Sequence, residues 1–176
     1  CESQSEVGNL VGGILIVVAV LAIAAAYSLQ KVWHAVRMLR ARCATELSEL
    51  HGHLTSHHLI VSHLVDALPD AFASQSDRTE LTTVRERAER SIDAIDAEHP
   101  RAKDMRKFSR RQQELFELVR RLTTRILASP SIREIQSVSG CLQGLIDANQ
   151  KINDATAAYN ASVITYATFL ESPVSS

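Results

Sequence analysis

The sequence predicts an all-α protein, with an N-terminal transmembrane helix continuing into an elongated antiparallel four-helix bundle. Three observations predict it. No charge occurs between Glu6 and Lys31, and the run from Gly13 to Ala26 is wholly apolar apart from its first glycine. Beyond it, apolar residues recur at alternating spacings of three and four, the seam of packed helices. The composition is 45% hydrophobic but only 5% aromatic, with 6 Gly and 4 Pro in 176 residues, which favours helices with a buried core. No alternating strand pattern competes with this period.

Residues 7–30 are read as the transmembrane helix. Roughly 20 apolar residues span a hydrocarbon core of about 30 Å. A cleaved signal peptide is the rival, since Ala24 and Ala26 resemble an A-x-A site, but the leading charges are Glu2 and Glu6 rather than a basic region. Lys31, Arg37, Arg40 and Arg42 follow the span, so residues 1–6 are expected outside and residues 31–172 in the cytoplasm. Tyr27 and Trp33 suit the interface, and the Gly8/Gly12 pair suits close approach of a second such helix. Cys1 reads as a processing product or a lipid-modified terminus. Cys43 and Cys141 fall at apolar helix positions and read as small core residues, not as a disulfide framework.

The first soluble helix carries its seam from Val36 through Leu39, Cys43, Leu47, Leu50, Leu54, His57, Val61 and Leu64 to Leu68, where Pro69 ends it. Asp70 to Asp77 reads as a polar connector. The second helix carries Leu81, Val84, Ala88, Ser91 and Ile95 and stops at Glu98-His99-Pro100. The third carries Met105, Phe108, Gln112, Leu115, Val119, Leu122 and Ile126. Ser129-Pro130 then opens the fourth as cap and first turn. Its seam reads Ile135, Val138, Leu142, Leu145, Asn149, Ile152, Thr156, Tyr159, Val163, Tyr166 and Leu170, before the tail at 173–176. Short connections make neighbouring helices antiparallel.

Several positions invite a functional reading. His53 and His57 are spaced i, i+4 and share a face, which suits zinc, but no further Cys or acid is placed to complete a site. His51, His53, His57 and His58 are therefore expected at the rim of the bundle. Asn149 and Thr156 are expected to be buried and to fix helix register. Gly140 and Gly144 suggest a close helix approach that offsets their helix cost. Asp66 to Glu98 holds nine acids against four bases, and Arg101 to Arg125 nine bases against three acids, so the second and third helices should attract each other. Arg101, Lys103, Arg106, Lys107, Arg110 and Arg111 form a basic face suited to anionic headgroups at a membrane surface.

Two stretches carry a family resemblance. His53-Leu54-Thr55-Ser56-His57-His58-Leu59-Ile60-Val61-Ser62-His63-Leu64-Val65-Asp66 resembles, without gaps, the QLKRRxDLIPNLVE block of the LemA family of bacterial membrane proteins. Ser129-Pro130 through Leu145, Ile152 and Ala155 to Tyr159-Asn160 resembles that family's stretch from YP to its YN pair. The family's Arg pair is Ser56-His57 here, its Pro is Ser62 and its Asn is His63. Residues 74–128 match poorly. The resemblance implies an N-terminal anchor in the bacterial inner membrane, a cytoplasmic helical bundle over residues 31–172, and no enzymatic activity.

No phosphate-binding loop, nucleophile elbow or paired-cysteine motif occurs. The aromatics are too scattered for a base-stacking platform, and a net charge of −1 gives no general pull on nucleic acid. The expected function is a membrane-anchored scaffold or interaction module without cofactor, partnered by the lipid bilayer and by another protein or its own copy. A periplasmic ligand-sensing bundle and a weakly metal-binding bundle are the alternatives.

Overall fold

Pro69, Ser74, Pro100 and Pro130 punctuate the chain, and helices fill the intervals. The computed structural model describes residues 2–97 and 99–172, with side chains from Val18 onward. The helices are α1 Glu2–Ala67, α2 Gln75–Asp93, α3 Ala102–Leu127, the single turn α4 Pro130–Arg133, and α5 Gln136–Glu171. No strand occurs among the described residues. Cys1, Glu98 and the tail at 173–176 lie outside them, as do the faces offered by Gly8 and Gly12.

The chain divides into two units, one formed by the residues up to Arg40 together with those from Ile164, the other by Ala41–Val163. In the first, α1 is long and apolar enough to cross a membrane by length and composition. The large apolar side chains from Val18 to Leu29 are exposed, Ile23 at 70% and Leu29 at 71%. Lys31 Nζ lies 4.6 Å from the Tyr27 ring and Arg37 4.6 Å from the Trp33 ring, one helical turn apart in each case.

The second unit buries its apolar stripe in two clusters. The larger joins Val61 and Leu64 of α1, and Leu68 just beyond it, to Leu81 and Ala88 of α2, Leu115, Val119, Leu122 and Ile126 of α3, and Val138 and Leu145 of α5. The smaller joins Leu50 and Leu54 to Ile92, Phe108, Ile152 and Ala155. The 3-4 seams of α1, α2 and α3 are therefore buried largely as expected.

The seam of α5 is not. Val138, Leu145 and Ile152 are buried, but between them lie Ala148, Ala155 and Ser162 rather than Asn149, Thr156 and Val163. Asn149 and Val163 are exposed and Thr156 is only half-buried. Both series keep a 3-4 alternation and differ only in which step comes first. Leaving a buried amide without a partner costs about 1–3 kcal/mol, so the helix turns the small residues inward instead. Asn149 consequently fixes no register.

Two further expectations change. The fourth helix is not continuous from Pro130, because Glu134 and Ile135 interrupt it. Gly140 has open space around it, and a Cβ at Gly144 would meet Ile60 at an ordinary 3.5 Å, so neither glycine is required by a close approach. Opposite charge also contributes little to pairing α2 with α3. Most of their ion pairs run along a single helix, such as Arg85–Glu89 and Arg111–Glu114, and Asp77–Arg125 at 3.4 Å is the pair recorded between them. Exposed pairs of this kind contribute about 0–1 kcal/mol.

The connector from α1 to α2 is more ordered than its polar composition suggests. Ser74 and Asp77 form a capping box: Asp77 N–H donates to Ser74 Oγ and Ser74 N–H to Asp77 Oδ2. Arg78, in the first turn of α2, donates to the backbone oxygens of Val65, Leu68 and Ala73 and pairs with Asp70. It thus supplies partners to carbonyls that the end of α1 leaves without helical donors.

Arg78→Ala is expected to lower stability by about 2–3 kcal/mol in urea unfolding of the detergent-solubilised chain, and Arg78→Lys to recover less than half, because an ammonium does not reproduce the planar fork. Gly140→Ala is expected to raise stability by about 0.5–1 kcal/mol. A loss at Gly140 would show that the glycine is needed for contact.

Candidate functional site

Between the two apolar clusters lies a polar layer built by three helices. His57 occupies a seam position of α1 and has no exposed surface. His58, about 100° further round the helix, is 1% exposed. Ser91 of α2 and Gln112 of α3 meet them as buried polar residues. On α5 the same level falls at Ala148, whose small side chain lies between Leu145 and Ile152 in the buried series.

The hydrogen bonds assign the proton on His58. Gln112 Nε2 donates to Ala88 O at 3.2 Å, so Gln112 Oε1 is left to accept. His58 Nε2 lies 3.1 Å from that oxygen and therefore carries the hydrogen. Ala88 O also accepts from Ser91 Oγ at 2.6 Å. This chain ties α1, α3 and α2 together through one backbone carbonyl. His57 is differently placed. Its ring packs against Phe116 at 4.9 Å and against His58 at 6.1 Å, and neither of its nitrogens has a partner among the described residues.

Burial decides the charge of both rings. It pushes His57 down to about 4, and the neighbouring His58 adds to the shift. His58 is also lowered, first by burial, against the opposing pull of its Gln112 bond and of Glu89. Both are neutral near pH 7. The folded values lie below the ordinary 6.5, so their stabilising effect is complete above that range. It is lost as pH falls below about 6.5, and for His57, over the fall toward 4, the loss amounts to about 3 kcal/mol.

No family model, no curated protein and no solved structure matches this chain. The chemistry of its residues therefore carries the functional reading.

The structure separates the histidines that the spacing had grouped. His57 and His58 are core residues, not rim residues, because the seam runs through His57 and the α2–α3 side covers His58. His53 is half-buried, His63 is exposed, and His51 lies 3.8 Å from Asp93. Among the described residues no group of three or more His, Cys, Asp or Glu is placed to hold a metal. His53 and His57 thus gain no third ligand. Cys43 and Cys141 are half-buried free thiols, and burial pushes both up from the ordinary thiol range.

The basic face lies on the first turns of α3. Arg101, Lys103, Arg106, Lys107 and Arg110 are exposed and Arg111 is half-buried. Arg110 and Arg111 both pair with Glu114, whereas Arg101, Lys103, Arg106 and Lys107 have no ion pair among the described residues. Positive charge at a helix N-terminus opposes the macrodipole, and Asp104 is the one acid in that turn. A cleft of about 200 Å³ also opens beside Leu81 and Leu122, rimmed by Arg78, Arg121 and Arg125. Two of those cations are committed to structure: Arg78 to the α1 carbonyls, and Arg125 to Asp77 and the Phe72 carbonyl.

His57→Leu removes a dry imidazole without leaving a partner behind and is expected to raise stability by about 1–2 kcal/mol at pH 7. His58→Leu strands Gln112 Oε1 and is expected to lower it by a similar amount. Equal effects in thermal unfolding would contradict the asymmetry of the layer.

Proposed function

We propose that this protein is a membrane-anchored interaction module without catalytic activity. In this reading residues 7–30 cross the bacterial inner membrane with the N-terminus outside. The remaining helices fold in the cytoplasm as an antiparallel four-helix bundle of the LemA kind, which engages a protein partner or a second copy. The observation that carries the reading is the uncharged stretch from Val7 to Gln30, whose large apolar side chains described between Val18 and Leu29 are exposed. The cations Lys31, Arg37, Arg40 and Arg42 follow it, which supports a cytoplasmic position for what comes after.

The cations at the start of α3 that have no ion pair among the described residues add a second element. Four positive charges at the unfavourable end of a helix dipole gain a role if they meet anionic headgroups, at about 1 kcal/mol each near the surface. The pairings within Ala41–Val163 support the antiparallel arrangement. Asp77 at the start of α2 meets Arg125 at the end of α3, while Ile92 and Phe108 share a cluster at the opposite ends.

The full chain is expected to stay with membranes through a carbonate wash. Arginine at both Val18 and Leu21, each costing about 3 kcal/mol at the centre of a span, should release it. Trypsin added to intact spheroplasts should spare the exposed Arg101 and cut there only after lysis. Cutting in intact spheroplasts would place the helices outside and overturn the cytoplasmic reading. In reconstituted vesicles, Lys103 and Lys107 should resist acetylation only when anionic lipid is present, and should lose that protection in 0.5 M salt, where the screening length is only about 4–5 Å.

A further inference from the structure

We infer that the His57–His58 layer is an acid-operated latch, whose protonation opens the smaller apolar cluster while the larger one stays closed. The inference concerns Ala41–Val163 alone and does not depend on the membrane reading.

The two imidazoles are not equivalent as triggers. A protonated His58 keeps its Nε2 bond to Gln112 and gains a single N–H, on Nδ1, that has no acceptor among the described residues. A protonated His57 has two N–H groups and no acceptor for either among the described residues. The charges that reach the layer act on His58, whereas His57 feels none beyond its neighbour His58. Glu89 and Arg85 of α2 and His51 of α1 act on His58, and Glu89 is paired with Arg85 at 3.3 Å. From α3 the layer meets Gln112 and the Phe116 ring, and from α5 the level falls at Ala148. A charge on His57 therefore has neither counter-ion nor hydrogen bond while the helices stay packed, and it is relieved only by water entering between them.

The direction of opening follows from packing. On one side of the layer the cluster runs from Val61 to Ile126 and Leu145, with twelve buried residues. On the other it holds six: Leu50, Leu54, Ile92, Phe108, Ile152 and Ala155. A cleft of about 80 Å³ already enters that smaller side between Leu47, Leu50, Leu54, Ile92 and Phe108. Water admitted at His57 thus meets the weaker apolar contact, and opening exposes Leu54 and Phe108 as a pH-gated apolar surface.

Hydrogen exchange of the full chain in detergent micelles, corrected for the intrinsic pH dependence of amide exchange, tests this. His57 alone, going from about 4 when closed to an ordinary 6.5 when open, raises the open fraction about 30-fold between pH 7.5 and 5. Amides at 50–57, 89–93 and 105–112 should lose protection by about that factor, while those at 61–67 and 115–126 change less than 3-fold. In a His57→Leu/His58→Gln double variant the response at the smaller cluster should fall below 3-fold. Equal loss on both sides of the layer, no loss at all, or an unchanged response in the double variant would each overturn the latch. If the double variant does not fold, the ratio between the two sides in the natural sequence decides alone.

Discussion

A histidine sealed among apolar side chains must stay neutral, and the helices around it stay closed only while it does. That constraint governs the helices packed within Ala41–Val163. His57 sits at the point where the seam of α1 passes between two apolar clusters, and it has nothing to share a proton with. The packing that excludes water from Leu54 and Val61 also holds the ring uncharged. The imidazole in turn limits the conditions under which that packing persists.

His58 shows how such a layer is made tolerable. Its proton goes to Gln112, the Gln112 amide goes to Ala88 O, and Ser91 shares the same carbonyl. One backbone oxygen therefore joins three helices. A ring bonded through one nitrogen, beside a ring bonded through neither, gives a polar layer that fixes which helix faces meet. Away from it, Arg78 performs the complementary task at the C-terminal end of α1, supplying donors to carbonyls that the helix leaves open.

Much of this was legible in the sequence. The seams of α1, α2 and α3 follow from spacing alone because each has one apolar stripe and no competing phase. In α5 two phases compete, since Leu142, Thr156 and Val163 offer one stripe and Ala148, Ala155 and Ser162 the other. Residue size pointed to the first, whereas helix approach and the cost of burying Asn149 select the second. The capping box was hidden in a stretch that reads as a polar connector, although Ser74 followed by Asp77 three residues later is its signature. The polar layer itself left a signal. His57, Ser91 and Gln112 are polar residues at seam positions of three helices, and they fall at one level once α2 runs back along α1. Spacing cannot show that His58 is covered as well, because its cover comes from α2 and α3. The uncharged apolar run that holds Ile23 and Leu29 and the cluster of cations at the start of α3 were both readable in the sequence.

The dryness of the layer is the claim on which the account turns, and the titration of the His57 ring measures it most directly. Carbon-13 shifts of the labelled imidazole, followed in the micelle-bound chain, should show a neutral ring down to about pH 5 and a midpoint near 4. A midpoint at the ordinary value of about 6.5, with the helices still folded, would mean that water reaches the ring and that no sealed layer divides the core.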